Sequence, residues 1–172
     1  GDISRINREA FRRKVTIDPW TWRVLRAAQK LSHESDGLFD ITVARKLMHW
    51  NYLPRRYRNV SEGNWREIVL KKNRTVRFRQ RVIVDLGGIA KGFAVDRAVE
   101  ALICAGVPSG VVNAGGDLRV FGLKSELVHL RHPVEPMRTA GAIKLGERAL
   151  ATSGIYFAQK RRGRAVVSSL LD

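Results

Sequence analysis

A single cysteine, Cys104, among 172 residues excludes an internal disulfide and any multi-cysteine metal site. Its place late in an expected helix reads as a small core residue. No apolar run reaches the ~18 residues that a membrane-spanning helix needs. Neither G-x-G-x-x-G nor Gly-Lys-Ser/Thr occurs at the required spacing, which excludes the dinucleotide fingerprint and the P-loop. No Ser-His-Asp arrangement or cysteine nucleophile is visible. His129 and His132 lack a third ligand and read as structural or exposed, not as a zinc pair. Internal repeats and low-complexity segments are absent. The chain opens on Gly1-Asp2-Ile3-Ser4, with no Met and no apolar signal segment. The expectation is a processed chain or a piece of a longer one.

Acidic residues are scarce as well: 16 against 32 Lys and Arg, a net charge of +16. Such a balance attracts nucleic acid, anionic membranes or phosphate compounds. The basic residues are nevertheless spread from Arg5 to Arg164, densest in Arg55-Arg56-Tyr57-Arg58, Lys71-Lys72-Asn73-Arg74 and Lys160-Arg161-Arg162-Gly163-Arg164. A solvated basic face is as good a reading of these runs as a nucleic-acid surface, and no specific nucleic-acid partner is expected. A hydrophobic content of 44% places the chain among globular proteins, and its length allows one domain, residues 1–172, with a real core.

The chain is organised around Val84-Asp85-Leu86-Gly87-Gly88-Ile89-Ala90-Lys91-Gly92-Phe93. The run Val82-Ile83-Val84 predicts a buried strand. Two glycines let the backbone turn tightly, and a helix follows to about Ala105, with Ala94, Ala98, Leu102 and Ala105 at helical spacing. A helix start behind glycines suits a phosphate, and Lys91 adds a charge there. An ordinary strand–turn–helix connection is the competing reading.

Residues 2–14 read as irregular or as a frayed helix. Asp18-Pro19 marks a helix start, and Trp20, Val24, Ala27, Ala28 and Leu31 predict its core stripe. Ser35-Asp36-Gly37 ends it. Asp40 and Thr42 lie between apolar neighbours, either held near a site or capping the next turn. A short helix at 45–50 and a basic, aromatic loop at 51–64 come next. A small meander is expected at 68–70, 75–78 and 82–84. Further strands are expected at 110–114, 118–121, 127–130, 140–145 and 165–171. Strands and helices in this order predict an α+β fold, with mixed or antiparallel sheets and packed helices.

Four small-residue turns follow these elements: Ser35-Asp36-Gly37, Asp85-Leu86-Gly87-Gly88, Gly115-Gly116-Asp117 and Thr152-Ser153-Gly154. Together they suggest loops gathered at one ligand, a phosphate or pyrophosphate held by N–H groups and Lys91, with carboxylates placing a cation such as Mg²⁺. SDGLFDITV, VDLGGIAKGFAVDRAVEAL, VVNAGGDLRVFG and ALATSGIYF resemble the successive motifs of the ApbE family of FAD:protein FMN transferases. DISRINRE resembles the family segment before its first long helix.

The resemblance implies an ApbE-like (T-fold-like) domain that binds FAD and Mg²⁺. It would transfer FMN to a threonine of an acceptor flavoprotein and release AMP. Leu38, Phe39 and Asp40 would line the flavin site, Asp85 and Lys91 would contact FAD, and the Gly88 carbonyl would be a metal ligand. Asp117 and Thr152-Ser153-Gly154 would shape the site. The family places such proteins in the periplasm or on the outer face of the inner membrane. An FAD pyrophosphatase and a non-catalytic flavin-nucleotide-binding module are the alternatives. Ser169-Leu170-Leu171-Asp172 stands where the family has a His-Ile-Ile-Asp-Pro-like segment, ahead of a metal motif that this chain lacks, as it lacks the family's N-terminal strands. The expectation is therefore the middle of an ApbE protein or a reduced relative, with weak Mg²⁺ binding and slow FMN transfer.

Overall fold

In the computed structural model the described residues are 1–54, 57–135 and 137–153, together with the backbone of 160–162 and 165–167. The chain forms two compact units, which meet in the sequence at Ile89 and Ala90. Both mix helices with antiparallel strands, as the α+β reading expects. No described helix is long and apolar enough to cross a membrane.

The first unit opens with an ordered helix, α1 (Asp2–Glu9), where an irregular segment was one expectation. Its Ile6 and Asn7 point inward and are buried. Strand β1 (Val15–Thr16) leads to helix α2 (Pro19–Glu34). Asp18 caps α2 through its side chain, Oδ1 accepting the Trp20 N–H at 2.7 Å, with Pro19 in the first turn. The helix ends in a Schellman-type turn. The Gly37 N–H donates to the Ser32 carbonyl and the Asp36 N–H to that of His33, with Asp36 at φ 50° and Gly37 at φ 85°.

After helix α3 (Ala44–His49) and a short 3₁₀ turn (Trp65–Glu67), strands β2 (Ile68–Lys71) and β3 (Thr75–Phe78) complete a three-stranded antiparallel sheet in the order β1-β3-β2. Helix α2 lies against β2, where Gln29 Nε2 donates to the Ile68 carbonyl at 2.6 Å and Trp22 Nε1 to that of Lys71 at 2.9 Å. Ile6, Leu25, Ile41, Val76, Phe78 and Val82 fill the core between them.

The predicted stripe on α2 is only partly core. Val24, Leu25, Ala28 and Ser32 are buried, whereas Trp20 (48% exposed), Ala27 and Leu31 (41%) face outward. The helix is apolar over too wide an arc for periodicity to set its phase, and contact with β2 selects one side. Ala27→Lys should therefore change stability by no more than about 0.5 kcal/mol, as read by urea unfolding. A loss several times larger would place Ala27 in the core after all.

Val82, Ile83 and Val84 are buried, as expected, but they form no strand. Asn7 takes the place of a neighbouring strand: its Nδ2 donates to the Val84 carbonyl and its Oδ1 accepts the Val84 N–H, both at 2.9 Å.

The second unit begins with helix α4 (Ala90–Cys104), which opens directly behind Gly87-Gly88 as predicted. Strands β4 (Gly110–Ala114) and β5 (Asp117–Phe121) form a hairpin. Gly115 (φ 63°) and Gly116 (φ 98°) make its tight turn, a backbone path in which glycine carries no steric cost. Strands β6 (Glu126–Arg131) and β7 (Thr139–Leu145) pair with each other, and β8 (Ala149–Ala151) pairs with β5. Strands β9 (Lys160–Arg162) and β10 (Ala165–Val167) form a last antiparallel pair.

Helix α4 buries Val95 and Val99, not the line through Ala94 and Leu102, which is exposed. The valines carry the contact surface, and an Asp96–Arg119 ion pair at 2.8 Å ties the helix to β5. Cys104 is exposed rather than core, because it lies on the outward side of the last turn. His129 is exposed, and His132 Nδ1 accepts the N–H groups of Val134 and Glu135, a structural role.

Candidate functional site

Residues 35–42 form a loop whose shape is set by its own side chains. Ser35 Oγ accepts the Phe39 N–H at 3.1 Å. The carboxylate of Asp40 fixes the rest of the loop. Its Oδ1 accepts both the backbone N–H and the hydroxyl of Thr42, each at 2.7 Å, and its Oδ2 accepts the Trp65 N–H at 3.1 Å. Asp40 thus joins two loops 25 residues apart, and it is Asp40 that caps the turn, with Thr42 as its donor. The tip residue Leu38 is 91% exposed, an apolar side chain held out to solvent by this frame.

The glycine turn lies against the same loop. The Asp85 N–H donates to the Ile41 carbonyl at 2.8 Å, and Asp85 Oδ1 accepts the Gly87 N–H at 2.9 Å. A side chain at Gly88 would put its Cβ 3.2 Å from Cε2 of Phe39, so glycine there lets the backbone lie close to that ring. Leu38, Phe39, Asp40, Asp85 and Gly88 are therefore brought together within the first unit. Trp65 completes the border, with His33 stacked on it at 6.2 Å and the Arg66 guanidinium 4.6 Å from its ring centre. Sequence reasoning missed Trp65 and Asn7. The one signal for Trp65 was an aromatic residue among loop-forming Gly and Asn.

In the second unit, Lys91 stands in the first turn of α4. Its Nζ lies 3.3 Å from Asp117 Oδ1 and 3.4 Å from the Gly115 carbonyl. The glycine turn that carries Gly115 is pinned from both sides. Asn113 Oδ1 accepts the Gly116 N–H at 3.0 Å, and the Gly116 carbonyl accepts the hydroxyl (2.8 Å) and the N–H (3.1 Å) of Thr152. The turn at Thr152 thus supports the turn at Gly115-Gly116. Gly154 lies outside the described residues.

The second unit offers a cation and the N–H donors of a helix start, and the first unit offers an exposed apolar loop. Donors of this kind suit an anion. Among the described residues no three His, Cys, Asp or Glu side chains are grouped to hold a metal ion. The carboxylates of Asp40 and Asp85 accept backbone N–H groups instead.

The "FAD:protein FMN transferase" of Vibrio cholerae is 27% identical over 171 residues, covering 90% of this chain and 51% of that protein. The protein of the same name from Rhodobacter capsulatus is 29% identical over 190 residues, covering 100% and 36%. The chain thus spans about half the length of the first relative and about a third of the second. Among solved structures, the ApbE protein of Thermotoga maritima matches with a TM-score of 0.84 at 28% identity, over 99% of this chain and 60% of that one. The flavin transferase ApbE of Vibrio cholerae matches with a TM-score of 0.78 at 25% identity, over 98% and 58%. The ApbE family model matches residues 1–171, and on that match the chain belongs to the ApbE family.

Proposed function

We propose that this chain carries the FAD-binding part of an FAD:protein FMN transferase. In the reaction, the hydroxyl oxygen of an acceptor threonine bonds to the phosphorus of the FMN half. The bond from that phosphorus to the bridging oxygen breaks, AMP leaves with that oxygen, and the hydroxyl proton passes to solvent. The chain's task is to bind the dinucleotide and to neutralise charge on the diphosphate. Leu38 and Phe39 offer the flavin an apolar border, Asp40 holds their loop, and Asp85 and Lys91 contact FAD. The nucleophile comes from the acceptor flavoprotein and needs no counterpart here. Mg²⁺ is the cation that the family resemblance implies, with the Gly88 carbonyl as one ligand. The described side chains gather no set to hold it, so no step is routed through it. A place in the periplasm or on the outer face of the inner membrane belongs to the same reading.

One observation carries the proposal. Lys91 stands in the first turn of a helix that opens behind a glycine turn, within the residues 1–171 that the family model matches. The test is incubation with FAD, Mg²⁺ and a threonine-bearing acceptor flavoprotein. The readouts are flavin fluorescence on the denatured acceptor and AMP by chromatography. The expected result is slow transfer, with one AMP for each flavin attached. FMN and AMP without an adduct would make the chain an FAD pyrophosphatase. FAD bound and unchanged would make it a binding module.

A further inference from the structure

We propose that Asp117 is a positioning residue for Lys91, and that FAD affinity depends on Asp117 only through that lysine. The inference rests on the reading that Lys91 meets the FAD diphosphate. A lysine ammonium has three N–H groups. Asp117 Oδ1 and the Gly115 carbonyl face Nζ at 3.3 and 3.4 Å, which leaves one N–H and so one direction for an anionic oxygen. Both acceptors are themselves held. Asp117 opens β5 with its side chain 18% exposed, and the Gly115 turn is fastened by Asn113 and Thr152. Lys91 itself is half exposed, its side chain at 51%, so little else restrains its stem.

Two effects of Asp117 on an anionic ligand oppose each other. Its charge repels a phosphate, but the lysine is open to water, which screens that repulsion. Against this stands the rotamer freedom of a four-carbon stem, which an unheld lysine gives up on binding. The ordering effect is the larger, so Asp117 favours binding despite its sign.

The test is a double-mutant cycle read by isothermal titration with FAD. Asp117→Ala should weaken FAD binding on the order of tenfold. Asp117→Asn keeps an acceptor oxygen and should lose less. In a Lys91→Ala background, Asp117→Ala should add no further loss, because the residue has nothing left to aim. A loss of the same size in both backgrounds would make Asp117 a structural residue and overturn the proposal. Affinity unchanged or improved in Asp117→Ala would overturn it too. Lys91→Ala binding FAD as tightly as the wild type would remove the reading of Lys91 at the diphosphate, and this proposal with it.

Discussion

Asn7→Ala should destabilise the first unit more than any exposed substitution in it, by about 1–3 kcal/mol for each of two buried backbone groups left unpaired. Val84 is 2% exposed, and its N–H and carbonyl both pair with the Asn7 amide. Alanine removes both partners and leaves the two backbone groups of Val84 unpaired. The neighbouring Arg8 is exposed, and Arg8→Ala should stay within about 0.5 kcal/mol. Urea unfolding of the two variants makes the comparison. Equal midpoints for Asn7→Ala and the wild type would show that the backbone of Val84 finds another partner. The consequence reaches the site, because Val84 leads directly into Asp85 and the glycine turn, and its neighbour Asp85 donates to Ile41 in the loop that carries Leu38 and Phe39.

The second large effect is expected at Lys91. If its ammonium meets an FAD phosphate, Lys91→Ala removes a charge-assisted hydrogen bond worth roughly 1.5–3 kcal/mol. FAD affinity should fall about tenfold to a hundredfold. Stability should hardly change, since an exposed pair such as Lys91–Asp117 contributes ~0–1 kcal/mol. The combination of intact folding with lost affinity separates a ligand contact from a structural residue. A lysine that merely decorates α4 would leave both folding and FAD affinity unchanged.

Local chemistry was the legible part of this fold. Asp18-Pro19 announces α2 because an Asp side chain and a proline each satisfy a helix start in a way that needs no tertiary partner. Gly115-Gly116 announces the β4–β5 hairpin because its tight turn requires positive φ. The glycine turn ahead of α4 was legible from two glycines set between an apolar run and a helical stripe, and at Gly88 the need is close approach to the Phe39 ring. What failed depended on distant partners. Trp20, Ala27 and Leu31 share the periodicity of the core residues beside them, and only the position of β2 decides which side is buried. Val82-Ile83-Val84 has the composition of a strand, yet its hydrogen-bond partner is a side chain 77 residues earlier in the sequence. No pattern along the chain connects Asn7 with Val84, or Lys91 with Asp117. The site residues Leu38, Phe39, Asp40, Asp85, Gly88 and Lys91 came from likeness to a family, since their spacing alone fits ordinary turns. The structure adds a reason for Asp40: it ties the loop at 38–42 to Trp65.

We propose that FAD binds through its diphosphate at Lys91 and through its flavin at the loop of Leu38 and Phe39. The most direct test is isothermal titration of the wild type and of Lys91→Ala with FAD and with riboflavin, which has the flavin ring but no phosphate. The wild type should bind FAD saturably, the variant should bind it at least about tenfold more weakly, and riboflavin affinity should be equal in the two proteins. FAD binding no tighter than riboflavin binding in the wild type, or the same FAD affinity in both proteins, would contradict the proposal.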